Sequence, residues 1–210
     1  MNDCNTIRSL IYEFSVSRLT RRLPSGFVIV LVMLLVSSVY GDAPEDRIRP
    51  TGIVIHHSAL SLADMAEFPG PTDAAVIDEL HEKRGFAIVC GGRVYHIGYH
   101  YVILPDGKVQ TGRPEDCMGA HAPGYNDTLG ICLIGNFSTL ANPDGRMGNQ
   151  IPTEAQVLSL VALVKEIRKK YGIPCDRILR HHDIKPATLC PGDRLPWREL
   201  QTQIGCQTAG

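Results

Sequence analysis

Two segments of the chain bring together the residue types that bind a transition metal. The segment RHHDIKPATLC holds His181 and Cys190 at either end of a Pro-containing loop, and the segment IVIHH ends in His56 and His57. Two imidazoles and one thiolate form a tight zinc site whose fourth position stays open, which is the arrangement of catalytic zinc. We therefore take His56, His181 and Cys190 as candidate ligands for Zn²⁺.

Other interpretations of these residues stay open at this point. A histidine at a strand end is often a surface or hydrogen-bonded residue, and we expect His57 and His182 to point away because strand side chains alternate. A Cys-His peptidase is a second candidate, with Cys132 or Cys190 as the nucleophile. Cys132 lies within the apolar segment LGICLI, which is typical of a buried thiol. A thiol nucleophile also leaves His56 without a role.

The candidate ligands must be positioned by strands and helices that the apolar pattern predicts. Apolar and β-branched runs predict strands at 53–55, 99–104, 108–111, 129–134 and 178–179. Helical spacing predicts helices at 72–84, 153–171 and 196–204. Thr153 with Gln156 fits a capping box at the start of the longest helix, and Gly172 fits its end. The alternation of strands and helices predicts a single α/β domain, with a mixed sheet flanked by helices and the zinc site at strand ends.

Composition narrows the classes of function. The chain of 210 residues is 44% hydrophobic and 20% charged, and 21 basic residues against 22 acidic ones give a formal net charge of -1. This balance offers no basis for binding nucleic acid or an anionic membrane. We expect a soluble, monomeric protein with no nucleic-acid partner.

The first 43 residues have a different character from the rest. Arginines precede the apolar run FVIVLVMLLV, and small residues follow it. This layout is typical of a signal peptide, and an uncleaved N-terminal anchor is the alternative. The apolar run is shorter than the ~20 residues that a spanning helix needs. We predict a signal peptide at 1–43, a linker at 44–50 and a single domain at 51–205. The protein would be exported, periplasmic or secreted, with no stable membrane association after cleavage.

Five segments of the chain carry a resemblance to a known family, and it is this resemblance that makes 51–205 a predicted zinc amidase domain: IVIHHSA, GYHYVILPDGKVQTGR, HAPGYNDTLGICLIGNF, PTEAQVLSLVALV and RHHDIKPATLCPG. These segments occur in this order in N-acetylmuramoyl-L-alanine amidases. The chain resembles the zinc amidase family that includes amidase-type phage lysozymes and animal peptidoglycan recognition proteins, over about residues 53–200. The resemblance implies His56, His181 and Cys190 as the zinc ligands. It implies hydrolysis of the amide between N-acetylmuramic acid and L-alanine, in peptidoglycan or muropeptides.

The resemblance also implies roles for residues around the zinc. Tyr99 is expected to orient the attacking water or to steady the tetrahedral intermediate, and Thr188 to donate to the developing oxyanion. Asp183 is a candidate partner that fixes a ligand imidazole. Substrate-groove positions are implied for His121, Asn126, His100 and Arg113. Of these, Arg113 can equally be a solvated surface residue.

The chain departs from the family pattern between Gly85 and Gly98, where the segment FAIVCGGRVYHI is longer than usual. This insertion directly precedes Tyr99, so we expect it to border the cleft and restrict which muropeptides enter.

Cysteines outside the zinc set bear on export and on the alternatives. An exported chain can hold disulfides, and the conceivable pairs are Cys90–Cys117 and Cys175–Cys206. Family members that only bind peptidoglycan typically lack the metal-binding cysteine, which is Cys190 here. A non-catalytic binding module is the alternative to an amidase, and the presence of Cys190 argues against this alternative.

Overall fold

The computed structural model describes residues 47–206 of the chain. The predicted signal peptide at 1–43 lies outside the described residues. Within the predicted linker, Arg47 forms an isolated antiparallel bridge with Cys117, and the Ile48 N–H donates to the Asp116 carbonyl at 2.7 Å. Across residues 47–206, no helix combines the length and apolar character needed to cross a membrane.

A mixed β-sheet forms the centre of the described chain. Its strands and those of a separate hairpin are β1 (Ile53–His57), β2 (Ile88–Cys90), β3 (Arg93–Tyr95), β4 (Tyr101–Ile103), β5 (Val109–Thr111), β6 (Leu129–Leu133) and β7 (Ile178–Arg180). The sheet has the order β5-β4-β6-β1-β7, in which only β5 runs antiparallel to its neighbour. Strands β2 and β3 pair with each other in the hairpin. The predicted α/β domain with a mixed central sheet is confirmed.

Five helices accompany the strands within residues 47–206: α1 (Leu62–Glu67), α2 (Ala74–Lys83), α3 (Glu154–Tyr171), α4 (His181–Ile184) and α5 (Trp197–Gln203). Helices α2, α3 and α5 correspond to the three predicted helices. Helices α1 and α4 were not predicted, because elements of four to six residues carry little periodic signal. His181 is consequently the first residue of a short helix, where a loop was predicted. The β2–β3 hairpin was not predicted either, although Gly91–Gly92 between its strands is a two-residue turn signal.

The sheet carries different apolar layers on its two faces. Helix α3 packs on one face, against Ile53, Ile55, Leu129, Ile131 and Leu133. Helix α2 covers part of the other face through Ile77 and Leu80. His56 and Cys132 are register partners in β1 and β6, and they alternate with the residues that contact α3. Both side chains therefore face away from α3, towards the side of the sheet that α2 covers only in part.

Helix α3 is tied to the sheet at its first turn. Thr153 and Gln156 form the predicted capping box, and the left-handed Gly172, with φ 72°, ends the helix. The Gln156 side chain is fully buried and donates to the carbonyls of Ile103 and Ile134, each at 3.0 Å. The Gln156 side chain therefore caps its own helix and also donates hydrogen bonds to the carbonyls at the ends of two adjacent strands.

The structure contains the disulfides Cys90–Cys117 and Cys175–Cys206, which confirms both conceivable pairs. The first joins the end of β2 to the segment before His121. Among the described cysteines, Cys132 and Cys190 remain as buried free thiols.

Candidate metal centre

Three side chains from two distant segments of the sequence meet on the open face of the sheet, which is the face that α2 covers only in part. His56 lies near the end of β1, His181 begins α4 directly after β7, and Cys190 lies in the loop that follows α4. One donor atom from each residue lies within 4.8 Å of the other two. The predicted ligand set therefore converges on a single point.

His56 has a defined orientation in this cluster. Its ring is 1% exposed, with Nδ1 at 3.6 Å from Cys190 Sγ. Its Nε2 faces the other way and lies 3.0 Å from His121 Nδ1. The two ring nitrogens thus have separate partners, and Nδ1 is the one that faces the metal centre.

His181 and Cys190 present the other two donor atoms. His181 Nε2 is buried and has no hydrogen-bond partner among residues 47–206. Cys190 Sγ accepts a hydrogen bond from the His57 N–H at 3.4 Å. A buried imidazole nitrogen without a partner is costly unless it binds something, so the cluster fits a bound cation.

Burial sets the protonation states of the cluster. It lowers the pKa of His56 well below 6.5 and also lowers the pKa of His181, so both rings are neutral at neutral pH. It raises the pKa of the Cys190 thiol to about 12. A neutral thiol is a poor nucleophile, whereas a divalent cation displaces its proton on binding. These environments favour a metal ligand over a thiol nucleophile.

The second histidine of each pair points away from the cluster, as predicted. His57 is buried, and its Nδ1 accepts a hydrogen bond from the Phe137 N–H at 3.0 Å. His182 is exposed, and its Nδ1 lies 2.8 Å from the Thr188 carbonyl oxygen. Asp183 was predicted to bond a ligand imidazole, and this prediction is wrong. Its carboxylate accepts from the backbone N–H and the guanidinium of Arg180, which caps α4.

Tyr99 borders the cluster from the segment before β4. Its ring centroid lies 5.1 Å from that of His56. Burial raises the pKa of Tyr99 well above 10, and the nearby Cys132 thiol adds to this rise, so the hydroxyl keeps its proton at neutral pH and acts as a donor. The proximity of Tyr99 to Cys132 was not predicted from the sequence. Strand alternation, which puts Cys132 beside His56, was the signal for it.

Thr188 lies in the loop between α4 and Cys190, partly buried. Its Oγ1 accepts a hydrogen bond from the Cys190 N–H at 3.2 Å. This contact keeps the Thr188 hydroxyl next to the backbone of a ligand residue, while its hydrogen can still be donated elsewhere.

The four residues implied at the substrate groove have partners within the protein. His100 is 1% exposed, accepts from the Gly130 N–H and donates to the Cys117 carbonyl. The buried Arg113 donates from Nη1 to the Met118 carbonyl at 2.7 Å.

Asn126 Oδ1 accepts from the backbone of His121 and of Ala122, and so holds the loop that carries His121. His121 itself contacts a ligand residue, His56. Substrate contacts by these four residues stay predictions. The hydrogen bonds of His121 and Asn126 favour a role for these two in supporting the centre.

Comparisons with known proteins agree with this geometry. An endolysin of Klebsiella phage KP32 is 36% identical over 105 residues, which are 49% of this chain and 64% of that protein. Peptidoglycan-recognition protein SC2 of Drosophila melanogaster is 31% identical over 150 residues, 71% of each chain. The chain spans less than two thirds of the length of the phage endolysins it matches.

A solved structure and a family model extend the likeness to most of the chain. The N-acetylmuramoyl-L-alanine amidase LysCS, an endolysin from Clostridium intestinale, superposes with a TM-score of 0.60 at 32% identity, covering 78% of this chain and 88% of that one. The model of the family described as N-acetylmuramoyl-L-alanine amidase matches residues 46–193. Because this match includes more than half of the sequence, and all three clustered donors lie within it, the chain belongs to the N-acetylmuramoyl-L-alanine amidase family.

Proposed function

We propose that the chain is a zinc-dependent amidase that hydrolyses the amide between N-acetylmuramic acid and L-alanine, in peptidoglycan or muropeptides. The observation that carries this proposal is the convergence of His56, His181 and Cys190 on one point in a chain of this family. Phage endolysins and a clostridial amidase among its relatives support the same substrate class.

The donor set fits zinc. Two neutral imidazoles and a thiol that becomes a thiolate on metal binding form a mixed N/S set of three ligands, which leaves one position open. The unpartnered Nε2 of His181 is explained by such an ion. When bound, zinc supplies Lewis acidity, which polarises a carbonyl and lowers the pKa of water.

Residues of the chain would position the reacting groups. The protonated Tyr99 hydroxyl donates hydrogen bonds and is unsuited to act as a base at neutral pH. We assign it the orientation of the attacking water or of the tetrahedral intermediate. We assign the Thr188 hydroxyl the role of donor to the developing oxyanion, because its Oγ1 accepts from the Cys190 N–H and its hydrogen is left for donation.

Release of stem peptide from purified sacculi tests the proposal. We expect mass spectrometry to detect free stem peptide with the wild type, and its loss with Cys190→Ala or a chelator, followed by recovery when zinc is restored to the wild type. The matched control is Leu189→Ala, which truncates an exposed neighbour in the same loop.

Two outcomes would contradict the proposal in different ways. Wild-type protein that binds sacculi but releases no peptide is a binding module, like the alternative raised above. Activity that resists chelation but is abolished by iodoacetamide identifies a thiol enzyme.

We further propose that the chain is exported as a monomer, periplasmic or secreted, after cleavage near residue 43, and keeps no stable membrane association. The apolar leader in the sequence and the two disulfides support this. N-terminal sequencing of the protein recovered outside the cytoplasm checks it, and an intact leader contradicts it.

A further inference from the structure

We propose that His121 is a positioning residue that holds His56 in the one tautomer that turns the Nδ1 lone pair to the metal. The two rings meet edge to face, with centroids 5.1 Å apart, and His56 Nε2 lies 3.0 Å from His121 Nδ1. The inference rests on the proposed zinc site, and it is independent of which bond the enzyme cleaves.

The direction of the hydrogen bond follows from a backbone carbonyl. His121 Nε2 lies 3.0 Å from the Thr128 carbonyl oxygen, which can only accept. His121 Nε2 therefore carries the proton, and in a neutral ring Nδ1 is then an acceptor. His56 Nε2 must donate to it. That leaves His56 Nδ1 unprotonated, at the end that lies 3.6 Å from Cys190 Sγ. We call this pair of hydrogen bonds, from His56 to His121 and from His121 to the Thr128 carbonyl, the histidine relay. Through it, the Thr128 carbonyl fixes which His56 nitrogen binds the metal.

The backbone at two glycines packs closely against the His121 ring. A Cβ at Gly130 would lie 2.6 Å from the ring, and a Cβ at Gly119 would lie 2.5 Å from it. Neither glycine has a left-handed backbone, so close approach of the ring explains glycine at both positions. Asn126 fixes the main chain of His121 through the hydrogen bond to its N–H at 3.0 Å. The two glycines thus confine the ring, and Asn126 fixes the main chain that carries it.

This geometry gives His121 a role different from the substrate contact that the resemblance implied, which stays a prediction. His121 is 8% exposed, and both ring nitrogens have partners within the protein. It has no free nitrogen with which to bind a muropeptide.

Two substitutions test the two hydrogen bonds of His121 separately. His121→Asn places an acceptor oxygen near the position of Nδ1 and loses the bond to Thr128. His121→Gln places a donor near the position of Nε2 and loses the acceptor for His56. We expect His121→Gln to weaken zinc binding about 10- to 100-fold, measured by competition with a chromophoric chelator. We expect His121→Asn to stay within about 3-fold of the wild type, because the acceptor, rather than the donor, orients the ligand.

His96→Gln is the matched control, because His96 is another partly buried histidine bonded to a backbone carbonyl, that of Phe86, and it lies in the β2–β3 segment instead of at the metal centre. It should leave zinc affinity unchanged. Equal loss of affinity in both His121 variants, or none in His121→Gln, overturns the proposal. Equal loss that follows thermal stability would identify a purely structural role.

The tautomers can also be read directly in the wild type, without any variant. Long-range ¹H–¹⁵N NMR spectra of the zinc-free protein should show the Nε2–H tautomer for both His56 and His121. An Nδ1–H tautomer at His56 overturns the inference. Protein that binds zinc with these tautomers but releases no stem peptide overturns the proposed function and leaves the relay intact.

Discussion

At the scale of single residues, burial makes the donor set suitable for a cation. His56, His181 and Cys190 are neutral in the folded protein, so no charge opposes an arriving divalent ion. The thiol must release its proton on binding, which makes metal affinity rise with pH. Tyr99 differs from them, because burial keeps its proton in place and makes it a hydrogen-bond donor.

Removal of the Tyr99 hydroxyl tests this distinction. We expect Tyr99→Phe to lower kcat/KM about 100-fold or more, because a donor to the reacting groups is lost, while zinc affinity stays near that of the wild type. The control is Tyr101→Phe, which removes a hydroxyl bonded to Glu115. Full activity in Tyr99→Phe would show that the hydroxyl has no part in the reaction.

The buried His100 makes stability depend on pH. Burial lowers its pKa to about 4, whereas a histidine in the unfolded chain titrates near 6.5. Between these values the unfolded chain binds a proton that the folded protein does not. The free energy of unfolding therefore falls as the pH drops from about 6.5 to about 4, by on the order of 3 kcal/mol from this residue.

Urea denaturation of the zinc-free protein at pH 7 and pH 4.5 measures this loss. His100→Gln keeps a donor for the Cys117 carbonyl and should show a smaller change between the two pH values. The same pH dependence in both proteins would exclude His100 as its source.

The three clustered donors were predictable at this scale, and the residues that contact them were not. His56, His181 and Cys190 stand out because their types suit zinc and because the resemblance selects one histidine of each pair. The partner of the ligand imidazole is His121, not Asp183, and this depends on side-chain direction across separate strands. A linear spacing carries no such information.

At the scale of secondary structure, the first turn of α3 connects the helix to the carboxyl ends of two parallel strands. Its capping box and terminal glycine were readable from the sequence, since both are local patterns. The bonds from Gln156 to the strand carbonyls were not, because they join residues 22 and 53 positions apart.

Gln156→Leu tests the connection between α3 and the sheet. It fills a similar volume but removes the Gln156 donor from the Ile103 and Ile134 carbonyls, so that the Ile103 carbonyl keeps only the Ile134 N–H, and it also removes the Gln156 half of the capping box. We expect the free energy of unfolding to fall by about 2–4 kcal/mol, measured by urea denaturation. The control is Leu158→Ala on the exposed side of the same helix, which should change it by less than about 0.5 kcal/mol. A neutral Gln156→Leu would mean that the strand ends find other donors.

At the scale of the whole molecule, the disulfides constrain two segments outside the sheet. Cys90–Cys117 fastens the β2–β3 hairpin, and Cys175–Cys206 joins the turn before β7 to the end of α5, 31 residues later. The insertion was visible in the sequence, and its hairpin had a local signal that was overlooked: β2 and β3 pair around Gly91–Gly92, both with positive φ. The cross-link to Cys117, 27 residues away, carries no such local signal.

Loss of the second cross-link should weaken the fold without disturbing the metal centre. The double variant Cys175→Ala and Cys206→Ala is expected to lower the free energy of unfolding by about 3 kcal/mol, because a closed loop of this length restricts the unfolded chain. Zinc affinity should be unchanged, since both cysteines pack with the α3 layer. A parallel loss of zinc binding would show that this layer couples to the open face.

The separation of the donors along the chain sets when the centre can exist during synthesis. His56 emerges from the ribosome early, whereas Cys190 follows 134 residues later. A growing polypeptide therefore lacks its third donor until almost every strand and helix has been translated. Truncated products retain at most two of the three donors, so only chains that reach Cys190 can complete the site.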